Sequence, residues 1–98
     1  MVYNVTIGSN KGFEMDNIKE LSQIISKLKT DREIYKLLNE LLSESELDVL
    51  SKRWRIVKML KAGCTQREIA KELNVSLCKV TRGAKILKDK KAIVSKFL

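Results

Sequence analysis

Cationic, hydroxyl and thiol side chains recur along one side of the segment LCKVTRGAKILK, residues 77–88. At helical spacing this side carries Cys78, Lys79, Thr81, Arg82, Lys85 and Lys88. Cations of this kind meet phosphate oxygens, and guanidinium and hydroxyl groups bond to base edges in a DNA groove. The other side is apolar and is predicted to be buried, with Leu77, Val80, Ala84 and Leu87. The segment is predicted to be a DNA recognition helix, against the alternative of an ordinary hairpin with a solvated charged face.

Gly83 lies in the middle of this segment. Glycine inside a helix is less favourable than alanine by roughly 1 kcal/mol, so a reason for its presence is expected. Either another helix packs closely against its backbone, or a ligand approaches there. Helical periodicity does not choose between these two explanations.

Positive charge is concentrated in the second half of the chain. The net charge is +8, but residues 1–50 hold 6 basic and 9 acidic side chains, whereas residues 51–98 hold 14 basic and 3 acidic ones. This division predicts an assembly half and a half that binds a polyanion. A solvated basic surface without a partner is the alternative.

Composition argues against an enzyme and against a metal site. The sequence has no histidine, and Cys64 and Cys78 do not form a Cys-x-x-Cys pair. No nucleophile stands beside a base, and no phosphate-binding loop is present.

No stretch approaches the roughly 20 apolar residues of a membrane span, and no signal-peptide pattern opens the sequence. We expect a cytoplasmic protein.

The elements that position the recognition helix are also visible in the sequence. Helix-forming residues dominate and proline is absent, so the fold is predicted to be all-α. TQRE, Thr65 to Glu68, has the form of a capping box and opens a short helix that ends near Leu73. Asn74 tolerates the left-handed conformation of a turn, and Ser76 can cap the next helix. Residues 65–88 are therefore predicted to form a helix-turn-helix.

Within this motif, Ile69 and Leu73 are predicted to face inward, and Val75 to fill the turn. Ala70 is small, as expected where the second helix crosses the first closely.

Three amphipathic helices are predicted upstream of the motif. The first runs from Met15 to about Lys29, the second opens with TDRE (30–33), and the third opens with SESE (43–46) and ends at Ala62-Gly63. The predicted apolar side of the third helix consists of Leu47, Leu50, Trp54, Val57 and Leu60. A short chain has a limited core of its own, so these leucine-rich helices predict a partner subunit.

The predicted domain organisation is simple. Residues 1–14 are expected to be a flexible N-terminal arm, and residues 15–98 a single helical domain for DNA binding and dimerisation. The final stretch, AIVSKFL, is either a last amphipathic helix or a frayed tail.

Three stretches together resemble the Trp repressor family: KRWRIV (52–57), TQREIAKEL (65–73) and VTRGAKILK (80–88). The resemblance covers roughly Ile18 to Lys88, and Thr-Arg-Gly at 81–83 is its most specific part. It implies an all-α, six-helix, intertwined homodimer with a helix-turn-helix. It also implies a transcriptional repressor of tryptophan biosynthesis or uptake genes, with L-tryptophan as corepressor and a near-palindromic double-stranded DNA operator.

The same resemblance implies a ligand site. Arg53 and Arg82 match the two arginines that hold the indole ring, an arrangement that suits a flat aromatic ligand bearing a carboxylate. Ser43 matches a hydroxyl residue near the polar end of the ligand, and Leu42 contributes a backbone carbonyl. The implied tryptophan-binding residues are Leu42, Ser43, Arg53, Arg82, Gly83 and Ile86. Ile86 replaces a small hydroxyl residue, so a drier pocket floor is expected.

Family position also assigns DNA contacts. Arg67 is expected to make a bidentate contact to guanine. The remaining expected contacts are Gln66, Lys71, Leu77, Cys78, Lys79, Thr81, Arg82, Lys85 and Lys88. Two rival functions stay open: a ligand-independent DNA-binding regulator on the same fold, and a protein-interaction module whose basic face docks on an acidic protein.

Overall fold

The structure, a computed structural model, describes residues 11–98. It contains α1 (Lys11–Lys27), α2 (Asp31–Leu41), α3 (Glu44–Lys61), α4 (Gln66–Leu73), α5 (Leu77–Lys88) and a 3-10 turn (Ile93–Lys96). No strand occurs within that range, which confirms the all-α prediction. The expected sixth helix is only this 3-10 turn, and α1 begins at Lys11 rather than at Met15. Residues 1–10 of the expected arm lie outside the described residues.

The chain divides into two compact units, the first ending at Leu41 and the second spanning Leu42–Leu98. In the first unit, α2 has no buried residue. Its start differs from the expected capping box in one bond. The Glu33 amide donates to Thr30 Oγ1 at 3.2 Å, but the return bond comes from the Thr30 hydroxyl to Glu33 Oε1, also at 3.2 Å.

Both ends of α3 follow local sequence signals. Ser43 is the N-cap: its Oγ accepts from the Glu46 amide at 3.2 Å, and its own amide donates to Glu46 Oε1 at 2.8 Å. At the other end Gly63 has φ +97°, a conformation that favours glycine. The Cys64 amide donates to the Met59 carbonyl at 3.0 Å, which is the six-to-one bond of a Schellman motif. The predicted start and stop of α3 are confirmed.

The core of the second unit lies where α4 and α5 pack against the C-terminal half of α3. Ile56, Ile69, Leu73 and Val80 form the buried cluster, and Met59, Leu60, Cys64, Ala70 and Val75 pack against it. The predicted apolar side of α3 is wrong in part. Ile56 is 2% exposed, whereas Leu50 and Trp54 are each 43% exposed, because α4 and α5 cover the helix around residues 56–60.

Candidate DNA-binding face and adjoining cavity

A complete capping box opens α4. The Glu68 amide donates to Thr65 Oγ1 at 3.2 Å, and the Thr65 amide donates to Glu68 Oε1 at 3.1 Å. The hydrogen bonds from the Thr65 side chain and then from its backbone hold the pKa of Glu68 below its ordinary value of 4.5. In the α3 box, the Ser43 backbone and then its side chain lower the pKa of Glu46 in the same way. These bonds fix where each helix begins.

Asn74 forms the turn between α4 and α5. Its φ of 52° and ψ of 51° are left-handed, as predicted for this position. The Val75 amide donates to the Ala70 carbonyl at 3.1 Å, so α4 ends as α3 does, with asparagine in place of glycine. Ser76 then caps α5, its Oγ accepting from the Lys79 amide at 3.4 Å. The turn therefore sets the direction in which α5 leaves α4.

The inner side of α5 begins one turn later than predicted. Val80 is fully buried and Gly83 is buried, while Ala84 and Leu87 are half-buried. Leu77 was predicted to be part of this stripe and is instead 48% exposed, since it is the first residue of α5 and precedes the packed region. Leu77 is therefore accessible to a molecule that contacts the outer face of α5.

The outer face of α4 and α5 is rich in cations. Of the residues expected to contact DNA, the exposed ones are Arg67, Lys71, Leu77, Cys78, Lys79, Arg82, Lys85 and Lys88. Gln66 and Thr81 are half-buried. Within the described part of the chain, the ion pair found is Lys52–Asp48 at 3.0 Å on α3. The cations of α4 and α5 are thus not engaged by protein carboxylates there.

Gln66 and Thr81 are joined across the motif. The Thr81 hydroxyl donates to Gln66 Oε1 at 3.0 Å and also lies 3.0 Å from the Leu77 carbonyl oxygen. The bond ties the first residue of α4 to the middle of α5.

A cavity of about 190 Å³ lies between α3 and α5. It is lined by Arg53, Ile56, Val57, Lys79, Arg82, Gly83 and Ile86. The α3 residues follow an i, i+3, i+4 pattern, and the α5 residues follow i, i+3, i+4, i+7, so each helix contributes one stripe. The cavity brings together four of the expected ligand residues: Arg53, Arg82, Gly83 and Ile86.

Lys79 also lines the cavity, although its place in the sequence pattern predicted only a DNA contact. Its spacing from Arg82, Gly83 and Ile86 was the available signal. Three cations therefore line the cavity, and no carboxylate does. Such a wall suits an apolar or aromatic group that carries an acidic function.

Gly83 has a packing reason as well as a place on the cavity wall. A Cβ at this position would lie 2.6 Å from Ile56 Cγ2 and 3.4 Å from Leu60 Cδ1. The distance to Leu60 is an ordinary van der Waals contact, but the one to Ile56 is not tolerated without movement, so glycine permits α5 to approach α3 this closely.

Leu42 and Ser43 do not line this cavity within one chain. Leu42 lines a second cavity of about 400 Å³, which shares Arg53 with the first. The Ser43 hydroxyl caps α3 and lies 3.2 Å from Ser45 Oγ. Within a single chain, the six residues predicted to bind the ligand therefore do not all line the same cavity.

Among residues 16–98, whose side chains the structure describes, no group of three or more His, Cys, Asp or Glu side chains could hold a metal ion. No helix in the same range is both long and apolar enough to cross a membrane.

Together, α4, the turn at Asn74 and α5 present an apolar side to α3 and a cation-rich side to solvent. This arrangement defines the class: a helix-turn-helix DNA-binding protein.

The comparison with known sequences identifies the family. Residues 16–98 match the family described as Trp repressor protein, and the chain belongs to the Trp repressor family. This is a family of DNA-binding transcription regulators and not of enzymes.

Individual relatives agree with that assignment. A protein named Trp operon repressor homolog from Xylella fastidiosa (strain M23) is 36% identical over 80 residues, 81% of this chain and 82% of its own length. A protein of the same name from Chlamydia trachomatis serovar L2 (strain 434/Bu) is 33% identical over 76 residues, 76% of this chain and 81% of its own. A crystal structure from Staphylococcus aureus, of a protein assigned as a Trp repressor, superposes with a TM-score of 0.72 at 25% identity and covers 92% of each chain.

Proposed function

We propose that this protein is a cytoplasmic, sequence-specific transcriptional repressor with L-tryptophan as corepressor, controlling genes of tryptophan biosynthesis or uptake. One observation carries the ligand part of the proposal: Arg53 of α3 and Arg82 of α5 line the same cavity, behind the outward face of the recognition helix. Guanidinium planes stack on aromatic rings and bind carboxylates, so the pair suits an aromatic amino acid.

The mechanism follows from the position of the cavity. A ring held between α3 and α5 fixes the angle of α5 relative to α3, and with it the direction of the basic face. The ligand changes DNA affinity only through its preference for the conformation that reads DNA, so tryptophan and operator must each strengthen the binding of the other.

On the DNA side, Arg67 is proposed by its family position to read a guanine through a bidentate contact, and its exposure near the start of α4 supports this role. Lys71, Lys85 and Lys88 are exposed as well and are proposed to meet phosphates. Leu77, Cys78 and Lys79 occupy the first turn of α5, which enters the groove first in proteins of this class.

A homodimer is part of the proposal. Apolar side chains stay exposed on one chain, among them Leu41, Val49, Leu50 and Trp54. Small-molecule pockets usually enclose about 300–1,000 Å³, whereas one chain encloses only about 190 Å³ between α3 and α5. A complete pocket would therefore need residues from outside this chain. We propose that a second copy supplies Leu42 and Ser43 to complete it. The operator is then a near-palindrome with half-site centres about 34–36 Å apart.

The second candidate is a ligand-independent DNA-binding regulator. It is favoured by the contact that a Cβ at Gly83 would make with Ile56, because close helix packing explains this glycine without a ligand. Both candidates predict DNA binding, and a protein-interaction module does not.

A titration of duplex DNA at several salt concentrations tests the proposed function. Affinity is expected to fall linearly on logarithmic axes as salt rises, because phosphate contacts release counterions. Arg67→Ala should weaken the preferred duplex by about 1–3 kcal/mol and relax preference at one base pair. Lys88→Ala is the matched control and should weaken all duplexes alike. Equal losses on preferred and random duplexes for Arg67→Ala would refute the guanine assignment.

A further inference from the structure

One hydrogen bond joins α4 and α5 through side chains that are 15 residues apart. The Thr81 hydroxyl donates to Gln66 Oε1 at 3.0 Å, and both residues are half-buried. Other side-chain pairs in the described chain, Thr30–Glu33 and Ser43–Ser45, each lie within a single helix start. The Gln66–Thr81 bond therefore has a different role, because it links the two helices of the DNA-binding motif.

The donor and acceptor groups of the two side chains determine which end of the Gln66 carboxamide faces Thr81. A hydroxyl has one proton, so Thr81 satisfies either Gln66 Oε1 or the Leu77 carbonyl at a given moment. A carboxamide has separate acceptor and donor ends, and with Oε1 turned to Thr81 the Gln66 NH₂ group is directed elsewhere. Gln66 is the first residue of α4, between the exposed residues Thr65 and Arg67. Gln66 itself is half-buried, so part of its side chain is accessible to solvent.

We propose that Gln66 and Thr81 act on DNA as one unit. The Thr81 hydroxyl holds Gln66 Oε1, and the Gln66 NH₂ group donates to one phosphate oxygen in each half-site. A phosphate oxygen only accepts, and the first helix of such motifs crosses the DNA backbone, so donor and acceptor match. Thr81 is a positioning residue that does not touch DNA. The inference rests on the proposed DNA-binding function and replaces two independent DNA contacts by one coupled contact.

A double-mutant cycle separates coupled from independent action. With saturating L-tryptophan present throughout, the wild-type protein first selects a duplex from a random pool. The affinities of Gln66→Met, Thr81→Val and the double variant for this duplex are then measured. Valine keeps the shape of threonine without the hydroxyl. In the wild-type background Thr81→Val should lower affinity about threefold to tenfold, the usual effect of one hydrogen bond. In the Gln66→Met background the same change should have no further effect, and Thr81→Ser should retain wild-type affinity.

Phosphate ethylation interference distinguishes positioning from a general loosening of the motif. Gln66→Met and Thr81→Val should both lose interference at the same single phosphate of each half-site and keep it elsewhere. Circular dichroism should give unfolding transitions near that of the wild type for both variants.

Three results would overturn the proposal and leave the DNA-binding function standing. Equal losses from Thr81→Val in both backgrounds would mean that Thr81 acts on DNA by itself, and no loss in either would mean that it has no part in binding. Loss of interference at many phosphates would indicate a merely structural bond. Failure of the wild-type protein to select any duplex would instead refute the proposed function, and this inference with it.

Discussion

At the scale of single residues, Arg53, Lys79 and Arg82 have different surroundings although all three line the cavity between α3 and α5. Arg53 is on α3 and also lines the neighbouring cavity that includes Leu42. Lys79 and Arg82 are on α5, whose outer side carries the other exposed cations. A ligand held by these side chains therefore contacts the helix that is proposed to read DNA.

This difference gives a prediction for the two arginines. Arg53→Ala should abolish the response to tryptophan and leave weak ligand-free DNA binding, because the side chain lines cavities beside α3 and is not part of the outer face of α4 and α5. Arg82→Ala should weaken ligand and DNA binding together. Arg55→Ala is the matched control, an exposed α3 arginine that does not line the cavity. Calorimetry with L-tryptophan and a duplex titration check the two effects; a normal tryptophan response in Arg53→Ala would contradict the site assignment.

At the scale of elements, the contact between α3 and α5 depends on Gly83. Gly83→Ala gains about 1 kcal/mol of helix propensity but places a methyl group 2.6 Å from Ile56 Cγ2. Overpacking of a core typically costs about 1–3 kcal/mol, so net destabilisation is expected in urea unfolding. In an Ile56→Ala background, where the obstacle is removed, Gly83→Ala should stop being destabilising. The same loss in both backgrounds would show that Ile56 is not the cause.

The capping box of α4 gives a prediction for pH. The folded state lowers the pKa of Glu68, so its contribution to stability is present above pH 4.5 and is lost as pH falls below that value. Glu68→Gln keeps an acceptor oxygen but cannot titrate, and its thermal unfolding should depend less on pH as the pH falls from 4.5 through the lowered pKa of Glu68. Glu72→Gln on the same helix takes no part in the box and serves as the control. Identical pH profiles for wild type and Glu68→Gln would contradict this account.

Local signals in the sequence predicted the elements well. The caps at Ser43, Thr65 and Ser76 and the left-handed Asn74 depend on residues a few positions away, so a pattern identifies them. Local patterns could not predict which side of α3 is covered by α4 and α5. Ile56 and Trp54 are both apolar, and only the direction set by the turn at Asn74 decides which of them α5 covers.

The cavity was predictable only in part, for the same reason. The family resemblance predicted four of the lining residues, and in the structure all four line one cavity: Arg53, Arg82, Gly83 and Ile86. Lys79 was missed as a wall residue because a cation on a basic helix is first interpreted as a phosphate contact. Its position becomes apparent once α5 lies against Ile56 and Val57.

At the scale of the whole molecule, the apolar side chains that stay exposed on a single chain predict a dimer. Tyr35, Leu41 and Trp54 are 70%, 56% and 43% exposed on one chain, and burial of such surface drives association. Sedimentation at micromolar concentration should give twice the 11.2 kDa of one chain. Trp54→Glu should shift the equilibrium toward monomer, whereas Lys58→Glu, also exposed on α3, should not. A stable folded monomer of the wild type would contradict the prediction.

The binding of the selected duplex with and without L-tryptophan, at one fixed salt concentration, tests the central claim most directly. The account predicts that saturating tryptophan strengthens duplex binding by about 5- to 150-fold, the usual range of such coupling. It also predicts that saturating duplex strengthens tryptophan binding by the same factor, at two equivalent sites per dimer. No heat with tryptophan, together with full duplex affinity in its absence, would contradict the corepressor role and leave the ligand-independent regulator.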